Sequence, residues 1–220
     1  ARYSAAVEKP SYTYATGSSA VSLTVSFSLD MSTMPKSPFT DVVAGSWYFD
    51  AALYASSHNL MLGTSPTEFS PNITMTRGML VTVLYRMNGS PSVSGKTPFT
   101  DVRTDEWYSA AVLWAYQNSI VTGMSDTTFA PINNVTREQM ATILFRYTKT
   151  AAPDKAKASA DLSGFADAGN VNDWAVDAMR WAVGQKLIAG ITLEQSVYLQ
   201  PRGNATRAQA ATVLTRYYAQ

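Results

Sequence analysis

The sequence contains three copies of one pattern, and this self-similarity constrains the fold more than any other feature. Residues 75–86 return as residues 135–146 and again as residues 205–216. The first two copies are 60 positions apart, whereas the third is offset from the second by 66 to 70 positions because of small insertions. Repeats of this length indicate supersecondary units that stack on one another and bury a continuous core.

Each repeat is predicted to form two short helices. The first helix has apolar residues at i, i+4, i+7 and i+8, which places them on one buried stripe. These residues are Trp47, Ala51, Tyr54 and Ala55, then Trp107, Ala111, Trp114 and Ala115, then Trp174, Ala178, Trp181 and Ala182. Turns at Gly63, Gly123 and Gly190 follow, where glycine can adopt a positive φ.

The second helix of each repeat starts after a threonine. Thr136 and Thr206 lie three residues before a glutamine, which predicts a capping box. The first copy lacks this glutamine and has Gly78, a poor helix former, so we expect its helix to start less firmly. The segment 150–163, which leads to the third repeat, is rich in alanine, lysine and aspartate and is expected to be mobile.

The segment before the first repeat predicts β-structure. Residues 20–29 alternate between apolar and polar side chains, and residues 12–14 could pair with them across a turn at 17–19. This segment is interpreted as the end of a preceding domain or as a hairpin packed on the repeats. The predicted boundaries are 1–37 for the β segment or linker, 38–93 for the first repeat, 94–150 for the second, and 151–220 for a linker and the third.

The composition excludes several classes of function. Lysine and arginine (17) balance aspartate and glutamate (16), so the chain lacks the basic field that drives nucleic-acid binding. No cysteine is present for disulfides, thiol catalysis or zinc, and no apolar run is long enough to insert into a membrane. The start at Ala1, without a methionine or leader, leads us to expect a mature fragment preceded by a partner domain.

The order of motifs in each repeat resembles the S-layer homology repeat. The first two repeats contain Phe-Thr-Asp-Val at 39–42 and 99–102, Trp-Tyr at 47–48 and 107–108, and Phe-x-Pro at 69–71 and 129–131. Thr-Arg opens the second helix of all three repeats. The resemblance covers residues 38–218. It implies a mainly α fold of three tandem helix-loop-helix repeats in a pseudo-threefold arrangement, with the Thr-Arg helices at the centre and a short N-terminal β-strand or hairpin.

Several residues depart from the family pattern. The usual acidic residue after Thr-Arg-x is Met79, Gln139 or Gln209 here. The third repeat lacks the aromatic residue after its tryptophan, because Ala175 follows Trp174, and its loop at 191–199 is expanded. These differences make the third repeat the weakest candidate for ligand binding.

The resemblance implies that grooves between repeats bind a pyruvylated cell-wall polysaccharide. An arginine beside a helix start is electrostatically unfavourable unless an anion binds there, and free backbone N–H groups would assist a ligand carboxylate. Tryptophans could stack on the sugar, and glycines could let the backbone approach it. The candidate ligand-binding residues are Arg77, Arg137, Arg207, Trp47, Trp107, Trp174, Gly63, Gly123, Gly190, Asp41, Asp101 and Asp167. We rank the arginines in the order Arg137, Arg77, Arg207.

Structural explanations exist for the same residues. Each arginine could form an internal salt bridge to one of the recurring aspartates, and the aspartate could then orient the arginine toward a ligand. Each tryptophan could belong to the core. His58, the sole histidine, is interpreted as a surface or capping residue rather than a catalytic base.

We therefore expect a non-enzymatic anchor, without metal or cofactor, that holds a surface protein to a bacterial cell wall outside the cell. The expected partner is a secondary cell-wall polysaccharide, with a pyruvylated amino sugar as the recognised group. Self-association in a lattice would involve other domains. The alternatives are a protein–protein or self-assembly module of a surface lattice, and a peptidoglycan-binding module.

Overall fold

The computed structural model describes residues 12–16, 19–23, 37–157 and 159–219. This part of the chain is mainly helical, as the resemblance implies, and contains two short hairpins. The helices are α1 (Phe49–Ser57), α2 (Arg77–Met87), α3 (Ser109–Gln117), α4 (Arg137–Ala151), α5 (Val176–Gly184) and α6 (Arg207–Tyr218). The strands are β1 (Tyr12–Thr16), β2 (Ser19–Leu23), β3 (Ile191–Leu193) and β4 (Ser196–Tyr198). No helix in the described residues is long and apolar enough to span a bilayer.

The predicted N-terminal pairing is present. Strands β1 and β2 form an antiparallel hairpin in which Tyr12 is opposite Leu23 and Thr16 is opposite Ser19. The rest of the predicted strand, residues 24–29, lies outside the described residues.

The second helix of each repeat starts at its threonine, as predicted. Thr136 and Thr206 form complete capping boxes with Gln139 and Gln209. In the first repeat the Thr76 hydroxyl accepts a hydrogen bond from the Met79 N–H, and no glutamine returns the bond. Helix α2 therefore has the weaker local cap, which agrees with the sequence prediction.

The main helix pairs form between repeats rather than within them. Helix α2 of the first repeat packs on α3 of the second, α4 of the second packs on α5 of the third, and α6 of the third packs on α1 of the first. The third repeat thus contacts the first and closes the arrangement. Each helix-loop-helix unit therefore buries its apolar stripes against the neighbouring repeats rather than against itself.

A ring of three backbone hydrogen bonds lies where the second helices begin. The Met75 N–H donates to the Ala205 carbonyl (2.8 Å), Ala205 to Val135 (2.9 Å), and Val135 to Met75 (2.9 Å). All three residues are fully buried. Three equivalent residues that bond in a closed cycle give the fold its pseudo-threefold axis.

Two features of the third repeat differ from the sequence prediction. Its expanded loop is the hairpin β3–β4, which accounts for the extra residues before Pro201. Part of the preceding linker, expected to be mobile, forms a 3₁₀ turn at Pro153–Lys157 that packs on α4. The indole N–H of Trp181 and the amide of Gln185 both donate to the Lys155 carbonyl, which ties this turn to α5.

The apolar stripes are largely buried as predicted, but their first residues are exposed. Trp114, Trp181 and the stripe alanines of all three first helices are almost completely buried, whereas Tyr54 is half-buried. Trp47, Trp107 and Trp174 precede the helices and are 65%, 58% and 53% exposed. Their assignment to the core is therefore wrong, because the chain has not yet entered the helix and the side chains point away from the stripe.

Candidate functional site

Two grooves of similar construction lie on the surface, and each contains residues of all three repeats. Groove A has a volume of about 380 Å³ and is lined by Arg77, residues 121–124, Gln139, Thr142, Ile143, Arg146 and Trp174. Groove B has a volume of about 410 Å³ and is lined by Arg137, residues 187–191, Gln209, Thr212, Val213, Arg216 and Trp47. In both grooves one repeat provides the first arginine, the next provides the wall, and the remaining one provides the tryptophan.

The first arginine of each groove is buried and oriented by the neighbouring repeat. The Nε of Arg77 donates to the Phe129 carbonyl (2.9 Å), and that of Arg137 donates to the Leu199 carbonyl (2.7 Å). Arg77 is 5% exposed and Arg137 is 6% exposed. Burial lowers the pKa of both guanidinium groups, while the charges of Asp101 and Asp167 oppose that effect. Arginine stays protonated, so each groove has a fixed cation.

The recurring aspartates hold the loops on which these arginines rest. Asp101 accepts hydrogen bonds from the Phe129 and Ala130 N–H groups at 2.9 and 2.7 Å. Asp41 binds the loop at Phe69 in the same way, and Asp167 binds the loop at Leu199.

The direct salt bridge predicted between arginine and aspartate is wrong. In the described residues the ion pairs within 4.0 Å are Arg103–Asp105 and Lys157–Asp154, both exposed. The aspartate instead acts on the arginine through one loop residue: in the second repeat it binds the N–H of Phe129, and Arg77 binds the carbonyl of Phe129. The aspartates line neither groove.

The expectation of free backbone N–H groups at the helix starts is also wrong. The Arg77 and Gly78 N–H groups donate to the Asn133 and Pro131 carbonyls, and the next N–H donates to the Thr76 hydroxyl. Helices α4 and α6 are arranged equivalently, with carbonyls of residues 201 and 203 and of residues 71 and 73 as acceptors. The N–H groups at these helix starts are therefore not available to a ligand.

The structure brings the predicted tryptophans to the arginines of other repeats. Trp174 lies in groove A with Arg77, and Trp47 lies in groove B with Arg137. Both indoles are more than half exposed, so they can offer a flat apolar face to a ligand.

The predicted glycines have a structural requirement of their own. Gly123 and Gly190, which line grooves A and B, have φ values of +81° and +79°. A Cβ atom on Gly123 would overlap the Phe99 ring and the Ser125 carbonyl. Gly63 has no positive φ, but its hydrogen faces the Phe39 ring in the same way. The residues that follow the first helices with a positive φ are instead Asn59, Ser119 and Lys186, at +55°, +57° and +58°.

Each groove contains a second arginine, which is not among the candidate residues chosen from the sequence. Arg146 lies in groove A, where an Nη donates to the Thr122 hydroxyl (3.4 Å), and Arg216 lies in groove B, where an Nη donates to the Leu187 carbonyl (3.0 Å). Their recurrence nine residues after Arg137 and Arg207 could have identified them. Gln139 and Gln209, recognised as capping residues, also line the grooves.

Arg207 differs from the other two arginines in its hydrogen bonds. Its Nε donates to the Phe69 carbonyl (2.8 Å), and one Nη also donates to the Leu62 carbonyl (2.7 Å). In the described residues the Nη atoms of Arg77 and Arg137 have no such bond. One Nη of the Arg207 guanidinium is therefore already hydrogen-bonded to the first repeat.

His58 takes the surface position expected for it. It is the residue after α1, is exposed, and stacks on Tyr54 with ring centroids 3.9 Å apart. Its Nδ1 lies 2.9 Å from the Tyr54 carbonyl. The residue lines neither groove.

Comparison with known proteins agrees with the three-repeat architecture. The family model for the S-layer homology domain matches residues 38–78, 98–141 and 164–211. An endoglucanase of Bacillus sp. (strain KSM-635) is 33% identical over 178 residues, which are 81% of this chain and 18% of that protein. A surface-layer 125 kDa protein of Lysinibacillus sphaericus is 31% identical over 154 residues, 70% of this chain and 12% of that protein.

An amylopullulanase of Thermoanaerobacterium thermosulfurigenes is 27% identical over 176 residues, 80% of this chain and 9% of that protein. The chain thus spans less than a fifth of the length of these relatives. The segment shared by enzymes and surface-layer proteins is the three-repeat module. The chain therefore belongs to the S-layer homology domain family, whose members anchor proteins to the cell wall at the bacterial surface.

Proposed function

We propose that grooves A and B bind an anionic secondary cell-wall polysaccharide and that the chain anchors a surface protein without catalysing a reaction. The observation that carries the proposal is the combination, twice, of two arginines and an exposed tryptophan from different repeats. Neither groove is lined by an acidic residue or a histidine. This combination suits a sugar that carries a carboxylate.

The chemistry of the grooves supports a pyruvyl ketal as the recognised group. Its carboxylate could accept hydrogen bonds from the free Nη atoms of Arg77 or Arg137, because Nε already binds a loop carbonyl. The guanidinium does not have to reorganise on binding, which preserves affinity. The indole of Trp174 or Trp47 would cover an apolar face of the sugar ring.

Two grooves on one chain would strengthen attachment to a polymer. A polysaccharide that repeats the same group can occupy both grooves, and the second binding event is then intramolecular. The equivalent position at Arg207, between the third and the first repeat, contributes less to ligand binding, because Arg207 already donates one Nη to the Leu62 carbonyl. The carboxylates and base that a hydrolase would require are missing from both groove linings.

Substitution of the two free arginines tests the proposal. Arg137→Ala and Arg77→Ala should each weaken binding to purified cell-wall sacculi about tenfold, and the double variant should weaken it more than either, as expected for charge-assisted hydrogen bonds. Arg103→Ala is the control, because Arg103 is exposed and paired with Asp105. Thermal unfolding of each variant separates lost binding from lost stability.

The sacculi also distinguish the alternatives. Removal of the non-peptidoglycan polymer should abolish binding. Binding that survives its removal would indicate a peptidoglycan-binding module. Unchanged affinity in the folded double variant would contradict the groove assignment.

A further inference from the structure

The structure assigns Glu138 as a positioning residue for groove A: its carboxylate holds the turn that carries Trp174. In the other two repeats a tyrosine supports the exposed tryptophan. The role of Trp174 as a ligand contact rests on the proposed function, whereas its positioning by Glu138 is a property of the free protein.

The support of the exposed tryptophan differs between repeats. Trp47 packs edge-on against Tyr48 and Trp107 against Tyr108, with ring centroids 5.3 and 5.1 Å apart. Trp174 is followed by Ala175, which has no ring to offer. Trp174 nevertheless lies at the wall of groove A, so another contact must fix its segment.

Glu138 provides that contact from the preceding repeat. It is 2% exposed, and its carboxylate accepts hydrogen bonds from the Asn172 backbone N–H (3.0 Å) and side-chain amide (2.6 Å). Asn172 directly precedes the 3₁₀ turn Asp173–Ala175, and its carbonyl accepts the Ala175 N–H at 2.8 Å. Trp174 is the middle residue of this turn, so the carboxylate fixes the backbone from which the indole extends.

The buried carboxylate has electrostatic compensation at this position. Glu138 is the second residue of α4, where the helix dipole favours negative charge. Both of its oxygens accept hydrogen bonds, and Arg202 donates to the Asn172 side-chain oxygen at 3.4 Å. Glu138, Asn172 and Arg202 therefore form a hydrogen-bond network, in which Glu138 joins the second repeat to the third.

The three interfaces use matched pairs of large and small residues. Gly78, at the position equivalent to Glu138, lies next to Tyr108: a Cβ on Gly78 would already be 3.4 Å from the tyrosine ring and 2.9 Å from the Pro131 carbonyl oxygen, so little space remains for a longer side chain. At the interface of the third repeat with the first, Ala208 takes this position and the residue after the tryptophan is Tyr48. At the interface of the second repeat with the third, the large residue is on the other side: the long Glu138 is on the second repeat, and the small, fully buried Ala175 is on the third. A glutamate and a tyrosine would compete for the same space.

The positioning is measured on the free protein first. With fluorotryptophan incorporated, the five tryptophans give five ¹⁹F resonances, and Trp47→Phe, Trp107→Phe and Trp174→Phe assign those of the three exposed tryptophans. Glu138→Ala should move or broaden the Trp174 resonance and leave those of Trp47 and Trp107 unchanged. Glu138→Gln, which keeps one acceptor oxygen, should give an intermediate result. Asp173→Asn is the matched control, because it removes an exposed carboxylate from the same turn.

Ligand binding is measured with the same resonances. The probe is the methyl glycoside of an N-acetylhexosamine that carries a 4,6-pyruvyl ketal. The Trp174 resonance reports binding of the probe at groove A. Glu138→Ala should raise the Kd of the probe at this groove about tenfold, because one aromatic contact is misplaced. The Kd at groove B, followed by Trp47, should stay the same. The double variant Glu138→Ala with Ala175→Tyr reproduces the residue pair of the third interface and should recover both the Trp174 signal and the affinity.

The outcomes separate the two proposals. A Trp174 resonance in folded Glu138→Ala or Glu138→Gln that matches the unsubstituted protein would overturn the positioning role. Equal changes at all three exposed tryptophans would also overturn it, since they would indicate a general loss of structure. If the probe moves no resonance in the unsubstituted protein, the proposed function fails, and the free-protein spectra still decide the role of Glu138.

Discussion

Arg77, Arg137 and Arg207 combine charge with nearly complete burial, and their surroundings resolve this conflict. Each Nε binds a carbonyl of the next repeat in the cycle, and the aspartate that holds the same loop adds an attractive charge. The sequence singled out these three arginines, because they recur beside the caps. It could not predict that the N–H groups of the helix starts are occupied, because their acceptors come from another repeat.

The aspartates provide the test at this scale. Asp101→Asn leaves one acceptor oxygen and turns an amide group toward the N–H of Phe129 or Ala130. Loss of a hydrogen bond to a charged group should lower the free energy of unfolding by about 2 kcal/mol, measured by urea denaturation. Asp126→Asn, an exposed substitution in the same loop, should have little effect. Equal stability of the two variants would contradict the role of Asp101 in holding the loop.

Local sequence signals predicted the helices well, and contacts between repeats account for what they missed. The apolar spacing and the Thr-x-x-Gln boxes located α4 and α6, since these signals act within one or two turns. The exposed tryptophans were misplaced because the periodicity extends one step before the helix begins. The turn Pro153–Lys157 was missed because its stability comes from donors at the end of α5, Trp181 in the helix and Gln185 directly after it. Both grooves lie between elements of three repeats, which no local pattern can specify.

At the scale of the whole molecule, the cyclic closure predicts that the three repeats unfold together. The ring of Met75, Val135 and Ala205 can form only when all three repeats are in place. Their amide hydrogens should therefore exchange with solvent only through global unfolding, with one common free energy. Calorimetry should give a single transition with equal calorimetric and van't Hoff enthalpies. Earlier exchange at Ala205, or a separate transition for the third repeat, would contradict this coupling.

The same closure brings tyrosines of different repeats together. It should therefore make the free energy of unfolding depend on pH in the alkaline range. Tyr147 of α4 lies between Trp114 of α3 and Tyr217 of α6, with ring centroids 6.2 and 6.1 Å away. Burial raises the pKa of Tyr147 to about 12 and also raises the pKa of Tyr217. In the unfolded chain a tyrosine ionises near its ordinary pKa of about 10.

The sign of the pH effect follows from this difference. Between pH 10 and 12 the unfolded chain releases the Tyr147 proton while the folded protein retains it, so ionisation favours unfolding. The contribution of Tyr147 is fully present below pH 10 and is lost as the pH rises toward 12. The free energy of unfolding, measured by urea denaturation across this range, should fall less steeply in Tyr147→Phe. Some dependence should remain because of Tyr217. The control Tyr116→Phe, at an exposed position, should keep the full slope, and an equal slope in Tyr147→Phe would show that the buried phenol is not its source.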